Sequence, residues 1–304
     1  MIERLTTEYW STIKSFDTEE KLDLYFYRPV GFLIAKIGQF LKITPTQVTV
    51  AGVIIGVIGG YLFSFRDSLV LLALGCFLFV LAGIFDSADG QLARLTKQYS
   101  KIGLVLDGIA DNIVFAAVYI FALLSVKQFY LDGSWYYVIA LGVLGGFCHS
   151  YQSAILDFYN REYIYFGYGK ADYWNPSSAE LAEVIAHETN SKERFFLKTR
   201  TTWIAQQQYL STRTDEQRQI MKAQVNGQNS EKFQQMYRDH NRTIIRFWRL
   251  LGTNAHTIGI CFFTLVFRRF DYYVIACDLI FMNIALLVVR NFQKSQDKKL
   301  LSKI

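Results

Sequence analysis

Three features of the sequence predict an all-α membrane protein of about six spanning helices. Its apolar residues are gathered into long runs, only short polar stretches separate most of those runs, and basic residues favour alternate loops. Hydrophobic residues fill 52% of the 304 positions and aromatic residues 16%. A chain of that make-up does not read as one soluble core.

A spanning helix needs on the order of 20 mostly apolar residues to cross about 30 Å of hydrocarbon. Runs of that kind extend from Gln47 to Ser64, Leu69 to Phe85, Ile102 to Leu124, Trp135 to Ala154, Leu250 to Phe267 and Tyr272 to Val289. The segment before them lacks a compact apolar core and carries Glu3, Glu8, Asp17, Glu19 and Glu20, so it does not read as a cleaved signal. The N-terminus is therefore expected to stay in the cytoplasm. With that start, Arg66, Lys127, Arg268 and Arg269 fall on the outer side and the rest of the 32 Lys and Arg on the inner side, as the positive-inside rule requires.

The expected organisation is an N-terminal cytoplasmic or interfacial segment, 1–46, and four spans, 47–156. A cytoplasmic polar insert, 157–246, two further spans, 247–290, and a basic tail, 291–304, complete it. Leu22 to Phe40 has the composition of an amphipathic interfacial helix, with Pro29 kinking it or opening its second half. Thr44 is a natural N-cap for the first span and Pro45 suits its first turn. Within the insert, Ser177-x-x-Glu180 and Thr214-x-x-Gln217 read as capping boxes, so the insert is expected to be helical.

The formal net charge of +6 reads as a topology signal and as attraction to anionic lipid. No basic stripe interleaved with exposed aromatics marks a nucleic-acid interface. Cys76, Cys148, Cys261 and Cys277 all fall in expected spans without C-x-x-C spacing, which points to small core residues and to neither a disulfide framework nor a thiolate metal site.

The chemistry concentrates in Asp86-Ser-Ala-Asp89-Gly90-Gln-Leu-Ala93-Arg94 and, after a short connection, Gly103, Asp107 and Asp111. On a helix, Asp86, Asp89, Gly90 and Ala93 share a face, as do Gly103, Asp107 and Asp111 on the next. Each aspartate within a membrane helix costs about 2.5–3.5 kcal/mol, so a cationic partner is expected. Arg94, Lys97 and Lys101 sit at or beyond the helix ends, which favours divalent cations. Oxygen ligands without His or Cys favour a hard metal, Mg²⁺ or Mn²⁺, and two such ions suit in-line displacement at phosphorus. The plain alternative is a solvated acidic loop or an ion pair with Arg94, with Gly90, Ala93 and Gly103 serving helix packing.

Asp86-x-x-Asp89-Gly90-x-x-Ala93-Arg94, eight spacer residues, then Gly103-x-x-x-Asp107-x-x-x-Asp111 resembles the signature of the CDP-alcohol phosphotransferases. The resemblance extends from Pro29 to Leu124, with Thr46 where such proteins often have Asn. It implies that Asp86, Asp89, Asp107 and Asp111 hold the metals, that Asp111 is also the general base, and that Gly90, Ala93, Arg94 and Gly103 border the CDP moiety. It further implies attack of an alcohol oxygen on the donor's β-phosphorus with release of CMP, and a homodimer.

The expected function is phospholipid biosynthesis: transfer of a phosphatidyl group from CDP-diacylglycerol to inositol, inositol phosphate or glycerol phosphate. Transfer of a CDP-choline or CDP-ethanolamine head group to diacylglycerol remains an alternative, and a divalent-cation carrier a more distant one. Acceptor candidates are His149 and Gln152, which share a helix face, and Arg246, Arg249 and Arg290, which suit a phosphate; each also has an ordinary reading, as an interhelical hydrogen-bonding group or a topology residue. The expected setting is a multi-pass protein of a bacterial inner membrane or an endomembrane, with the site facing the cytoplasm.

Overall fold

A computed structural model describes residues 2–13, 15–98, 101–129 and 135–304, with the side chains of all of these except 2, 4, 101–108, 128, 192 and 196. The protein is all-α: no strand occurs among the described residues, and six helices are long and apolar enough to cross a membrane. The helices are α1 (Ile2–Ser11), α2 (Arg28–Phe40), α3 (Pro45–Leu62), α4 (Leu69–Thr96), α5 (Lys101–Val126), α6 (Trp135–Tyr168), α7 (Ser178–His187), α8 (Ser191–Leu210), α9 (Asp215–Val225), α10 (Ser230–Trp248), α11 (Thr253–Phe262) and α12 (Phe270–Leu301). The middle of α12, Tyr273–Met282, is wound as a π-helix.

The sequence signals for helix starts are used as expected. Thr44 caps α3 in a reciprocal box with Gln47, and Pro45 occupies the first turn. Ser177 with Glu180 and Thr214 with Gln217 form the same box at α7 and α9. Pro29 stands where the π-wound turn Asp23–Tyr27 runs into α2, so it opens the second half of one helical run.

Three helices outrun the apolar runs that announce them. α4 continues from Phe85 to Thr96 and α6 from Ala154 to Tyr168. The helix of the last span reaches Leu301, through most of the basic tail. Polar residues end the hydropathy signal, but they do not end a helix when other helices satisfy them. In α6, Asp157 accepts from Gln207 Nε2 at 2.9 Å, and Glu162 accepts from Arg213 and Arg218 at 2.5 and 2.6 Å.

The chain divides into two compact units. The first comprises Met1–Lys14, Glu19–Phe147 and His256–Leu279. Its core is aromatic and aliphatic, with Phe79 edge-on to Phe115 at 5.3 Å. Helix α3 enters that core backbone-first, through glycines. A methyl at Gly59 would stand 3.0 Å from Gly75 O on α4, and one at Gly60 would stand 2.9 Å from Val118 N on α5. Small residues permit such close approach where lipid supplies no hydrophobic drive between helices.

The second unit comprises Ser15–Thr18, Cys148–Ala255 and Ile280–Ile304. Its core stacks Tyr159 on Trp248 at 4.5 Å and packs Phe158, Tyr163, Phe166 and Tyr237 around them. A buried ionic network runs through it. Arg213 reaches Glu162, Asp297 at 2.7 Å and the Tyr237 hydroxyl at 2.7 Å, while Arg218 takes the other oxygen of Glu162. Asp17 is bound in this unit as well, accepting from Tyr163 at 3.1 Å, Tyr168 at 2.6 Å and Arg242 at 3.2 Å.

Candidate active site

The acidic motif occupies the last three turns of α4 and the first three of α5. At about 1.5 Å per residue, a 28-residue helix such as α4 is roughly 42 Å long and exceeds the hydrocarbon by about two turns. The length of α4 therefore allows the motif to stand at one membrane boundary.

On α4 the acidic face and its flank have different partners. Asp89 is buried, 4% exposed, and its Oδ2 lies 2.5 Å from Thr49 Oγ1 on α3. That hydroxyl also stands 3.1 Å from Pro45 O, but it has one proton, and the shorter contact to the carboxylate takes it. Asp86, half-buried, lies in the field of Arg28 at the start of α2. Burial of Arg28 works against its charge; Glu19, then Asp23 and Asp86, outweigh burial and hold the guanidinium above its ordinary value. Glu19 grips Arg28 bidentately at 2.9 and 3.1 Å.

The flank of α4 receives the N-terminal segment. Gln91, fully buried, donates to Thr12 Oγ1 at 3.0 Å. A methyl at Gly31 of α2 would stand 2.9 Å from Gln91 Oε1 and 3.0 Å from Ser87 Oγ. At Gly90 an added methyl would stand 3.4 Å from both terminal nitrogens of Arg94, so the guanidinium lies close over bare backbone. Ala93 is half-buried on the same turn.

On α5, Asp111 is exposed and one turn before the buried Phe115. Gly103 and Asp107 belong to the helical backbone of α5, and their side-chain surroundings lie outside the described residues. Among the described residues no group of three or more His, Cys, Asp and Glu side chains is set to hold a metal ion. The candidate donors that are described, the carboxylates of Asp86, Asp89 and Asp111, are oxygens, the ligand type that a hard divalent cation takes.

The acceptor candidates lie in the second unit and have diverse partners. His149 is buried on α6, and Gln152 Nε2 donates to Asn283 Oδ1 of α12 at 3.1 Å. Arg290 Nε donates to Leu210 O at 2.8 Å, at the end of α8, and Arg249 to Asp17 O. Arg246 is exposed. Thr49 and Arg28 are the site neighbours that periodicity alone did not single out. Thr49 stands in the Thr-Pro-Thr-Gln-Val-Thr stretch that opens α3, one turn past the cap, and that is the one signal that points to it.

The sequence profile described as CDP-alcohol phosphatidyltransferase matches residues 42–157. A bifunctional IPC transferase and DIPP synthase of Thermococcus kodakarensis is 35% identical over 115 residues, 37% of this chain and 24% of that protein. An archaetidylinositol phosphate synthase of Pyrococcus horikoshii is 34% identical over 92 residues, 29% of this chain and 43% of that protein. The chain thus spans about a quarter of the first relative's length and under half of the second's.

Proposed function

We propose, from the match of residues 42–157 to the CDP-alcohol phosphatidyltransferase profile, that the chain transfers a phosphatidyl-type group from a CDP-activated lipid to a small polar alcohol. CDP-diacylglycerol is the donor we assign and an inositol phosphate the first acceptor. The acceptor is chosen because the Pyrococcus relative is named for making archaetidylinositol phosphate. The observation that carries the reading is the acidic motif itself, complete from Asp86 to Asp111 and inside the matched residues.

In this reading Asp111 takes the proton of the acceptor hydroxyl, because an aliphatic alcohol is a poor nucleophile without a base in hydrogen-bond reach. The alcohol oxygen forms its bond to the β-phosphorus, and the bond from that phosphorus to the bridging oxygen breaks, so CMP leaves with the bridging oxygen. Asp86, Asp89, Asp107 and Asp111 hold Mg²⁺ or Mn²⁺, two ions, which when bound supply positive charge to the pyrophosphate. Thr49 orients Asp89 for that task. Gly90, Ala93, Arg94 and Gly103 border the CDP moiety; the bare Cα of Gly90 beneath the Arg94 guanidinium suits a pyrophosphate, which guanidinium binds bidentately. His149, Gln152, Arg246, Arg249 and Arg290 are the pool from which acceptor contacts come. The site faces the cytoplasm of an inner membrane or endomembrane, residues 157–246 form a cytoplasmic appendage, and the protein works as a homodimer.

The test is CMP release by the purified protein with Mg²⁺ or Mn²⁺, radiolabelled CDP-diacylglycerol and a panel of inositol, inositol phosphate and glycerol phosphate. New labelled lipid with inositol phosphate supports the reading. Turnover only with CDP-choline or CDP-ethanolamine and diacylglycerol transfers the assignment to the other branch of the family. Silence with every CDP donor, together with metal uptake into liposomes, favours a carrier.

A further inference from the structure

Within the first unit, three helices meet at polar groups that the proposed reaction does not use. Tyr119 of α5 donates to Asp278 Oδ2 of α12 at 2.6 Å. The Tyr119 and Tyr273 rings stand edge-on to one another, with centroids 6.4 Å apart. His256 Nδ1, on α11, lies 2.5 Å from the Tyr273 hydroxyl. Asp278, His256 and Tyr273 are wholly buried and Tyr119 nearly so.

Tyr119 gives its one proton to Asp278, and His256 and Tyr273 share a second hydrogen bond, so two hydrogen-bonded pairs meet at the edge-on tyrosine rings.

We propose that this cluster of His256, Tyr273, Tyr119 and Asp278 is a positioning device. It fixes the rotation and height of α5, and through α5 the presentation of Asp111; the inference rests on the function proposed above.

Four observations carry it. First, an Asp at membrane depth costs about 2.5–3.5 kcal/mol, whereas Leu or Phe would hold three helices together without that cost. Apolar packing in lipid leaves helices able to slide and turn; directional hydrogen bonds do not. Second, Tyr273 and Asp278 are five residues apart, which an α-helix turns away from each other. The π winding of Tyr273–Met282 bonds residue i to i+5 and brings the two toward one face.

Third, α6 makes room at this point. A methyl on Gly145 would stand 2.9 Å from Tyr119 Cε1 and 3.2 Å from Asp278 Oδ2. Fourth, Asp111, Phe115 and Tyr119 follow at i, i+4 and i+8 along one face of α5. Phe115 is itself held edge-on to His256 at 6.4 Å. Eight residues of helix separate Tyr119 from Asp111 by about 12 Å, too far for proton exchange, so the cluster acts through the helix.

The experiment uses the full-length protein in lipid nanodiscs. Tyr119→Phe, Asp278→Asn and Gly145→Ala are compared by CMP release against Mn²⁺ concentration, by Mn²⁺ binding from the loss of the free-ion paramagnetic resonance signal, and by thermal unfolding. Tyr119→Phe is expected to lower kcat by about 10- to 100-fold, the effect of misplacing a reacting group. It should also raise the Mn²⁺ needed for half-saturation, with acceptor KM and thermal midpoint little changed. Gly145→Ala displaces the Tyr119 ring and is expected to act in the same direction. Asp278→Asn keeps an oxygen to accept the Tyr119 proton and is expected to retain most of the turnover.

Wild-type kcat and Mn²⁺ dependence in Tyr119→Phe overturn the inference. So does loss of turnover only in proportion to loss of folded protein, or an Asp278→Asn variant as impaired as Tyr119→Phe. If the unmodified protein releases no CMP from any donor, the proposed function fails; the Mn²⁺ binding comparison still decides the positioning claim.

Discussion

Both units bury carboxylates, and different groups reach them. In the second unit Glu162 and Asp297 are matched by Arg213 and Arg218, with nitrogens 2.5–2.7 Å from the carboxylate oxygens and every side chain within a few per cent of full burial. Tyr237 and Asn241 accept from Arg213, and Gln293 donates to Asp297. In the first unit Asp89 receives a hydroxyl from Thr49, and Asp86 lies in the field of an arginine that Glu19 already grips. One set of acids is neutralised by the chain's own guanidiniums and holds a unit together. The first unit uses the same device for Glu19 with Arg28 and Asp271 with Arg269, whereas the proposed function gives the acidic motif its positive charge from a bound cation.

Variants that move stability and turnover apart sharpen this comparison. The largest effect is expected from Asp111→Asn, which should lower CMP release by about 10²- to 10⁴-fold, the usual contribution of a general base, and leave the thermal midpoint unchanged. Near-normal turnover would remove Asp111 from that role. Arg213→Met should do the opposite, destabilising the second unit by about 3–5 kcal/mol because it strands Asp297 and leaves Glu162 with Arg218 alone. Chemical unfolding reads that loss, and Arg213→Met combined with Asp297→Leu should recover part of it.

Thr49→Val should weaken metal affinity by about 10- to 100-fold, as the loss of a group orienting a ligand does; Thr49→Ser should retain it. Equal Mn²⁺ dependence in Thr49→Val and the unmodified protein would break the link between Thr49 and the site. Ser177→Ala removes the capping hydroxyl of α7 and should cost about 1 kcal/mol, measurable as a lower midpoint with turnover intact.

The smallest effect concerns Asp17. Burial opposes its charge, but hydrogen bonds from Tyr168 and Tyr163 and the Arg242 guanidinium outweigh burial and hold the carboxyl below its usual range. Its contribution is therefore present above the unfolded carboxylate pKa of about 3.9 and lost as pH falls through the lower folded value. Asp17→Asn should flatten that part of the acid-unfolding curve, and an unchanged curve would contradict the assignment.

Local signals account for what the sequence disclosed. The six apolar runs, the capping boxes at Thr44, Ser177 and Thr214, and the spacing from Asp86 to Asp111 are all legible within single helices or adjoining ones. What escaped is long-range or depends on winding. Asp297 reaches Arg213 across 84 residues, and Thr49 reaches Asp89 across 40; no periodicity announces either pair. The extension of α6 past Ala154 was hidden because Asp157 and Glu162 end the apolar run while their partners lie on α8 and beside α9. The alignment of Tyr273 with Asp278 needs the π winding of α12, which has no compositional mark. The acidic motif was legible as chemistry, while its neighbours Thr49 and Arg28 became visible through packing.

The central claim is that aspartates from α4 and α5 converge on divalent cations. Anomalous scattering from the full-length protein crystallised with Mn²⁺ tests it most directly. The account predicts two peaks within coordination distance of oxygens from Asp86, Asp89, Asp107 and Asp111. Mn²⁺ bound elsewhere in the protein, with the carboxylates of α4 and α5 turned away from one another, would contradict it.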